Sequence, residues 1–370
     1  NAYPNAYFDA STGGAEPSIR GRQIFIPLNL WFGNSSKQAF PLVALQYNEL
    51  SINVTIRSVN ELFKIRDVRD KDNNYPLIQP NFNIDYQQMH NFLQTPPNIE
   101  LDYTDKRTTW NADVHLISTY AFLTKDENKT FASKEQKYLI KDVFEKTYHN
   151  VTGSKKVKTE SLGMISSWMM FFRRSDANLR NEWSNYTNWP YNNIIPQSLQ
   201  DFNIPSMPNP SNFAITGNIG LPGSTTQYPI NLKEIMVDLG ITMDGVYREA
   251  VLPSGVYEYM EKYMRSTGGA KDGLYLYNFC LDSNRRTYQP SGAMNVNKFK
   301  KVFFEFNTIE APLDISGSNI EYICDLEGNA IGFRKTVAQL NEYSFDLRIF
   351  EERYNIMVIQ GGRVGLMHAR

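Results

Sequence analysis

The sequence is poor in the residues that carry most enzyme chemistry. Only two cysteines occur in 370 residues, Cys280 and Cys324; that is too few for a disulfide framework and fits a chain matured in a reducing compartment. Each is expected to be a free, buried thiol. The four histidines, His90, His115, His149 and His368, are far apart, and no two stand at the i, i+4 spacing of a helical zinc site. There is no Cys-x-x-Cys pair, no Gly-x-Ser-x-Gly elbow, no phosphate-binding Gly-x-x-x-x-Gly-Lys loop and no Gly-x-Gly-x-x-Gly fingerprint. No metal and no cofactor is therefore expected. Charge of either sign is not in excess: 38 basic residues face 39 acidic ones, for a net charge of -1, which argues against a surface that binds nucleic acid directly. No apolar run reaches the ~20 residues of a membrane-spanning helix, and Asn1-Ala2-Tyr3-Pro4 has no signal-peptide character.

What the chain does contain is aromatic. Phe, Tyr and Trp make up 13% of it, and Asn is abundant, a mixture suited to pleated sheets joined by polar loops. Apolar groups on both faces of Gln23–Phe32 predict a strand covered on both sides. In Glu49–Arg57, Leu50, Ile52, Val54 and Ile56 alternate with Ser51, Asn53, Thr55 and Arg57, the two-residue period of a half-buried strand. Further strands are expected at 112–123, 164–174, 274–281, 301–307, 319–324, 343–351 and 354–360, with a short helix or turn at 133–145 and helical spacing at 256–265. Charge-rich and Asn/Pro-rich text at 66–106 reads as a linker, and the Asn/Pro/Gly-rich stretch 175–272 reads as a long inserted loop. Strands without β-α-β alternation indicate an all-β sandwich of the jelly-roll kind.

The remaining chemical candidates have plain structural readings. Asp244, Glu249, Asp314 and Asp346 are the carboxylates a jelly-roll glycosidase would need to pair in space, and exposed Trp183 or Trp189 is the platform a carbohydrate-binding module would need. Solvated charges and ordinary packing account for both sets. Arg173-Arg174, Arg285-Arg286, Lys298, Lys300 and Lys301 form no continuous stripe and are expected at edges or interfaces. Gly361-Gly362 is expected to be a turn. Asn-x-Ser/Thr triplets at Asn34, Asn53, Asn128, Asn150 and Asn185 are glycosylation acceptors only if the chain passes a glycosylating lumen.

Two segments carry a resemblance. The first runs Ile26-Pro27-Leu28-Asn29-Leu30-Trp31-Phe32, then Phe40-Pro41-Leu42-Val43-Ala44-Leu45-Gln46-Tyr47-Asn48-Glu49-Leu50. The second is Tyr288-Gln289-Pro290-Ser291-Gly292-Ala293-Met294-Asn295. They resemble the "IPLPFWF … LPLIALQYHEV" signature and the "QPSGxxN" turn of the major capsid proteins of nucleocytoplasmic large DNA viruses, a family that includes iridovirus, algal-virus, asfarvirus and giant-virus shells. Weaker echoes lie at 135–140, 167–174 and 354–366. Asn29 stands where the commoner signature has proline and Asn48 where it has histidine. With the expanded 175–272 stretch, this resembles the long-looped asfarvirus-like or giant-virus members.

The resemblance implies a double jelly roll of two eight-stranded sandwiches, with the first barrel only partly represented in this chain. Residues 1–65 would be its C-terminal part, 66–106 a linker, and 107–370 the second barrel. The polar start and the missing initiator Met fit a further N-terminal stretch. The implied function is structural, not enzymatic: a homotrimeric, pseudo-hexagonal capsomer in an icosahedral virion shell assembled in the host cytoplasm. Neighbouring capsomers, minor capsid proteins and, indirectly, an internal membrane layer are the implied partners. The implied structural signature is Pro27, Trp31, Phe32, Pro41, Leu45, Gln46, Tyr47, Pro290, Ser291, Gly292 and Asn295.

Overall fold

The computed structural model describes residues 24–67, 69–70, 72, 76–88, 92, 114–179, 181–188, 233–266, 269–284, 289–309 and 343–368, and the backbone of 8–9, 14–15, 320–324 and 330–335. In chain order the elements are β1 (Phe8–Asp9), β2 (Gly14–Ala15), β3 (Ile65–Arg66), β4 (Leu77–Ile78), α1 (Lys125–Ser133), β5 (Gln136–Tyr148), β6 (Ser154–Thr159), β7 (Met164–Arg174), β8 (Met236–Met243) and β9 (Val246–Pro253). There follow α2 (Glu261–Arg265), β10 (Leu274–Asn278), β11 (Met294–Asn295), β12 (Val302–Thr308), β13 (Ile320–Cys324), β14 (Ala330–Lys335), β15 (Phe345–Gln360) and β16 (Arg363–Leu366).

Two antiparallel sheets face each other. One runs β6-β12-β8-β9. In the other, β5 lies along one edge of β15, while β7 and β16 share its opposite edge end to end, and β10 and β11 pair with β7. Numbered one to eight along the chain, strands β5, β6, β7, β8, β9, β10, β12 and β15 alternate between the sheets as 1-8-3-6 and 2-7-4-5. That is the jelly-roll topology, two interleaved Greek keys.

The interleaving follows from strict two-residue alternation. In β12, Val302, Phe304, Phe306 and Thr308 are buried while their neighbours are half-exposed, and in β15 Phe345, Leu347 and Ile349 point inward. Trp168 of β7 is fully enclosed at the centre, with Phe304 edge-on at 4.9 Å, Phe279 at 4.9 Å and Tyr277 stacked at 6.1 Å. Burial of one such ring contributes roughly 4–6 kcal/mol at about 25 cal/mol per Å2. Its indole N–H has no acceptor among the described residues, which costs about 1–3 kcal/mol of that gain.

Four sequence expectations are corrected. The stretch 133–145 is not a helix or turn; 136–148 is a strand paired along thirteen residues with β15, and the helix lies just before it. Its start is set by a capping box, Thr124 Oγ1 accepting from Glu127 N and Glu127 Oε2 accepting from Thr124 N. The range 175–272 is not a single inserted loop: β8 is a core strand and β9 the exposed edge strand paired with it, the two joined by Asp244-Gly245 with both residues at positive φ, the two-residue hairpin geometry Asp-Gly favours. The pieces expected at 343–351 and 354–360 are one sixteen-residue strand, about 50 Å long. Finally, 24–30, 49–58 and 114–123 hold no strand among the described residues, and Ile24, Phe25, Ile26, Leu50, Ile52, Val54, Ile56 and Phe122 are exposed. A two-residue period prescribes extended backbone and alternating faces; a ladder also needs a neighbour to bond to.

The expected 65/66 boundary falls within a small packed unit. β3 pairs with β4, and Phe63, Ile65 and Phe82 form its core with Val59, Ile78 and Phe92 against them. Of the expected linker 66–106, residues 93–106 lie outside the described residues. The helical spacing at 256–265 corresponds to a continuous helical run from 254 to 265 that includes α2.

Candidate functional site: two seams fastened by the signature segments

Long β15 carries two apolar cores on one face. Its first half contributes Phe345, Leu347 and Ile349 to the sandwich core, and its second half contributes Met357 and Ile359 to a separate cluster with Ile140 and Ala44. Between them lies a buried charged pair. Arg353 Nε donates to Glu351 Oε2 at 3.0 Å and Nη2 donates to the same oxygen, while Ser161 Oγ donates to Glu351 Oε1. Arg353 also sits over the Phe144 ring at 4.0 Å. A β-bulge opposite Glu352/Arg353 marks the same place, with Ser166 of β7 as the extra residue; such a bulge bends the strand that carries it and increases the local twist.

The first signature segment covers this second core. Trp31 contacts Phe32 (5.4 Å), Phe40 (5.8 Å) and Tyr138 of β5 (5.3 Å), and Pro41 is buried. Trp31, Phe40 and Leu45 pack on Ala44, Ile140, Met357 and Ile359. The chain then meets the β15–β16 hairpin edge-on. Gln46 N and Tyr47 N both donate to Gly362 O at 3.0 Å, and Val364 N donates to Asn48 Oδ1 at 3.1 Å. Gly361 and Gly362 both have positive φ, 58° and 78°, so the expected turn is also a docking point. A Cβ on Gly362 would lie 2.7 Å from Gln46 Cβ. Asn48, the departure from the commoner signature, thus bonds the hairpin directly. Pro27 is exposed and makes no part of this seam.

A second fastening joins the same N-terminal part to the other side of the sandwich. Asn181, at positive φ, accepts from Lys64 N (2.8 Å) and donates to Lys64 O (3.0 Å). Trp183 Nε1 donates to Leu62 O at 2.6 Å, with Arg57 over its ring at 5.1 Å. Trp183 is thereby engaged in the fold; Trp189 lies outside the described residues.

The second signature is a clasp within the sandwich. Ser291 Oγ accepts from Asp282 N (2.9 Å) and donates to Asp282 O (2.8 Å). Gly292, at φ 144°, passes so close to the 279–280 backbone that a Cβ would lie 2.9 Å from Phe279 O. Asn295 then pairs with Met164, and its Oδ1 accepts from Asn297 N at 3.2 Å. Pro290 is exposed at the entry to the turn. Cys280 is buried inside this clasp as a free thiol, and burial pushes its pKa up. The side chain of Cys324 lies outside the described residues.

The other candidates are dispersed. Asp244 Oδ1 accepts from Lys300 N and Lys301 N, Glu249 accepts from Tyr277 Oη, and Asp346 pairs with His149; Asp314, His90, Arg285 and Arg286 lie outside the described residues. Arg174 is buried in a bidentate pair with Asp176 beneath the Tyr343 ring, so it is an internal fastening instead of the edge or interface charge expected. No group of three or more His, Cys, Asp or Glu among the described residues has the arrangement to hold a metal. Of the sequon asparagines, Asn53 and Asn150 are exposed, and Asn34 and Asn128 are half-buried. Asn185 is buried with its amide bonded to Glu182 and Thr187.

Residues 12–123, which include the first signature, match the family described as "Major capsid protein N-terminus". That stretch is similar to the N-terminal part of viral major capsid proteins. A 120-residue stretch is 25% identical to Capsid protein 1 of Acanthamoeba polyphaga mimivirus, covering 32% of this chain and 15% of that protein. Among solved structures, the PBCV-1 virus capsid is similar at 17% identity and a TM-score of 0.43, over 67% of this chain and 55% of that one. The Faustovirus major capsid protein is similar at 14% identity and a TM-score of 0.38, over 65% and 36%. The chain therefore spans 15% to 55% of the length of these capsid relatives. The sequence motifs led to this kinship; the seams themselves became visible only when Gly362, Asn181 and Phe279 were brought to their partners.

Proposed function

We propose that the chain is the shell-forming part of a viral major capsid protein, acting as a homotrimeric, pseudo-hexagonal capsomer subunit that tiles an icosahedral shell. The carrying observation is that the family-matching N-terminal segment is locked across the second core of β15 by its own signature residues. Such fastening makes a rigid slab, and a shell subunit requires rigidity and broad side surfaces before it requires a cleft. In this reading residues 1–65 belong to the end of a first jelly roll. The exposed runs at 24–28 and 50–56 are then strands that take up their ladders when that barrel is completed. Residues 107–370 are the second barrel, and the segment between β7 and β8 contributes to the capsomer's outer surface.

A trimer closes by cyclic symmetry, with one patch of each subunit on a different patch of the next. The site of action is the virion shell, assembled in the host cytoplasm above minor capsid proteins and an internal membrane layer. Light scattering of the full-length protein at micromolar concentration tests this. Three times the subunit mass, and three-lobed particles by electron microscopy, are expected; a monodisperse monomer refutes it.

A further inference from the structure

Between the exposed edges of β9 and β10, the open flank of the sandwich is closed by the helical run 254–265. At 256–260 it forms a π-turn, with Glu261 N–H bonded to Val256 O five residues back, a distortion often found where a helix serves a function. The run is held from inside by Tyr257, whose hydroxyl donates to Leu239 O at 2.8 Å, and by Glu258. Glu258 is only 1% exposed. Its Oε1 accepts from Gly273 N at 2.6 Å, and its Oε2 is buried with no hydrogen-bond partner among the described residues. Gly273, at φ 78°, lies in the turn that feeds β10, pressed against the Tyr186 backbone so closely that a Cβ would meet Tyr186 O at 2.2 Å. Lys271 Nζ donates to Ser184 Oγ at 2.7 Å. The carboxyl therefore joins the helix to a turn wedged against the 184–186 segment.

We propose that Glu258 is a pH-operated latch: its buried carboxyl, while neutral, ties the helical run to the 271–273 turn, and its ionisation frees both from the sandwich flank. An unpartnered neutral oxygen costs about 1–3 kcal/mol when buried, whereas an unpartnered buried charge costs far more. The groups facing it favour the neutral form on balance. Glu234, before β8, and Asp272, in the turn, carry like charge, although Asp272 is paired with Lys233. Lys262 on the same run opposes them, itself weakened by burial. Tyr275 of β10 and Tyr259 of the run are the neighbouring phenols. Burial, the largest cause, raises the Glu258 pKa, with the Gly273 N–H pulling the other way. The raised group holds its proton longer in the folded than in the unfolded chain. Its contribution is thus complete at acid pH, below the ordinary Glu range, and is lost as pH climbs through the folded pKa. Outward on the same run, Tyr259, Met260, Tyr263 and Met264 are exposed, so the latch governs how an apolar face is presented.

Hydrogen exchange of the full chain between pH 5 and 9, normalised for intrinsic exchange, tests the latch. Protection of Gly273 and of 256–265 is expected to fall by up to about tenfold per pH unit from the ordinary Glu range up to the carboxyl's midpoint in the folded chain and to level off above it, while amides of β12 and β15 hold theirs. In Glu258→Gln, which keeps an acceptor for Gly273 N but does not ionise, protection is expected to be flat. Carbon NMR of the Glu258 carboxyl in the wild-type chain gives the midpoint independently, and decides the matter if the variant does not fold. A midpoint in the ordinary Glu range, flat wild-type protection at 256–273, or the same slope in Glu258→Gln overturns the proposal.

Discussion

Replacing Gly362 with alanine separates the seam from the turn that carries it. At Gly361, φ is 58° and a Cβ would meet nothing within 4 Å; at Gly362, φ is 78° and a Cβ would lie 2.7 Å from Gln46 Cβ and 3.2 Å from the Tyr47 ring. Both substitutions bear the backbone penalty of an alanine at positive φ, about 1–2 kcal/mol. Gly362→Ala must in addition push the 46–47 backbone away from Gly362 O. That breaks two N–H···O bonds of 3.0 Å, each worth about 1 kcal/mol net. The expected difference between the variants is therefore about 2 kcal/mol. Chemical denaturation of both variants, with exchange rates of the Gln46 and Tyr47 amides, measures it. Equal stabilities, with both amides still protected in Gly362→Ala, would refute the assignment of the hairpin as the docking point.

Two further outcomes follow from the same contacts. Arg353→Met leaves Glu351 fully buried with Ser161 as its remaining hydrogen-bond donor among the described residues and is expected to cost about 3–5 kcal/mol in urea denaturation. Glu351→Leu combined with Arg353→Met is expected to recover most of that, because both buried charges leave together. Ser291→Ala removes two bonds to the Asp282 backbone and should cost about 1–2 kcal/mol, read as faster exchange of the Asp282 amide and a lower Tm.

Much of the fold was legible because a strand covered on one face writes its period into the chain, as Val302–Thr308 and Met164–Arg174 do. Residues 133–145 read as a short helix or turn because Lys and Glu there suit a helix, whereas pairing with β15 makes 136–148 a strand. Thr124-x-x-Glu127 and Asp244-Gly245 were the local signals that mark the true helix start and the β8–β9 hairpin.

The all-β class, the absence of recognisable enzyme motifs and the capsid resemblance of the segments around Trp31 and Ser291 were written in the sequence, since these depend on composition, period and local turn chemistry. That one strand carries two cores with a buried ion pair between them, and that Gly362, Asn181 and Glu258 are fastening points, emerged from the folded arrangement alone. Those roles belong to partners more than a dozen residues away in the chain, and in the case of Gly362 more than three hundred. A carbonyl, an amide or a carboxyl has no such role until folding brings its partner within about 3 Å.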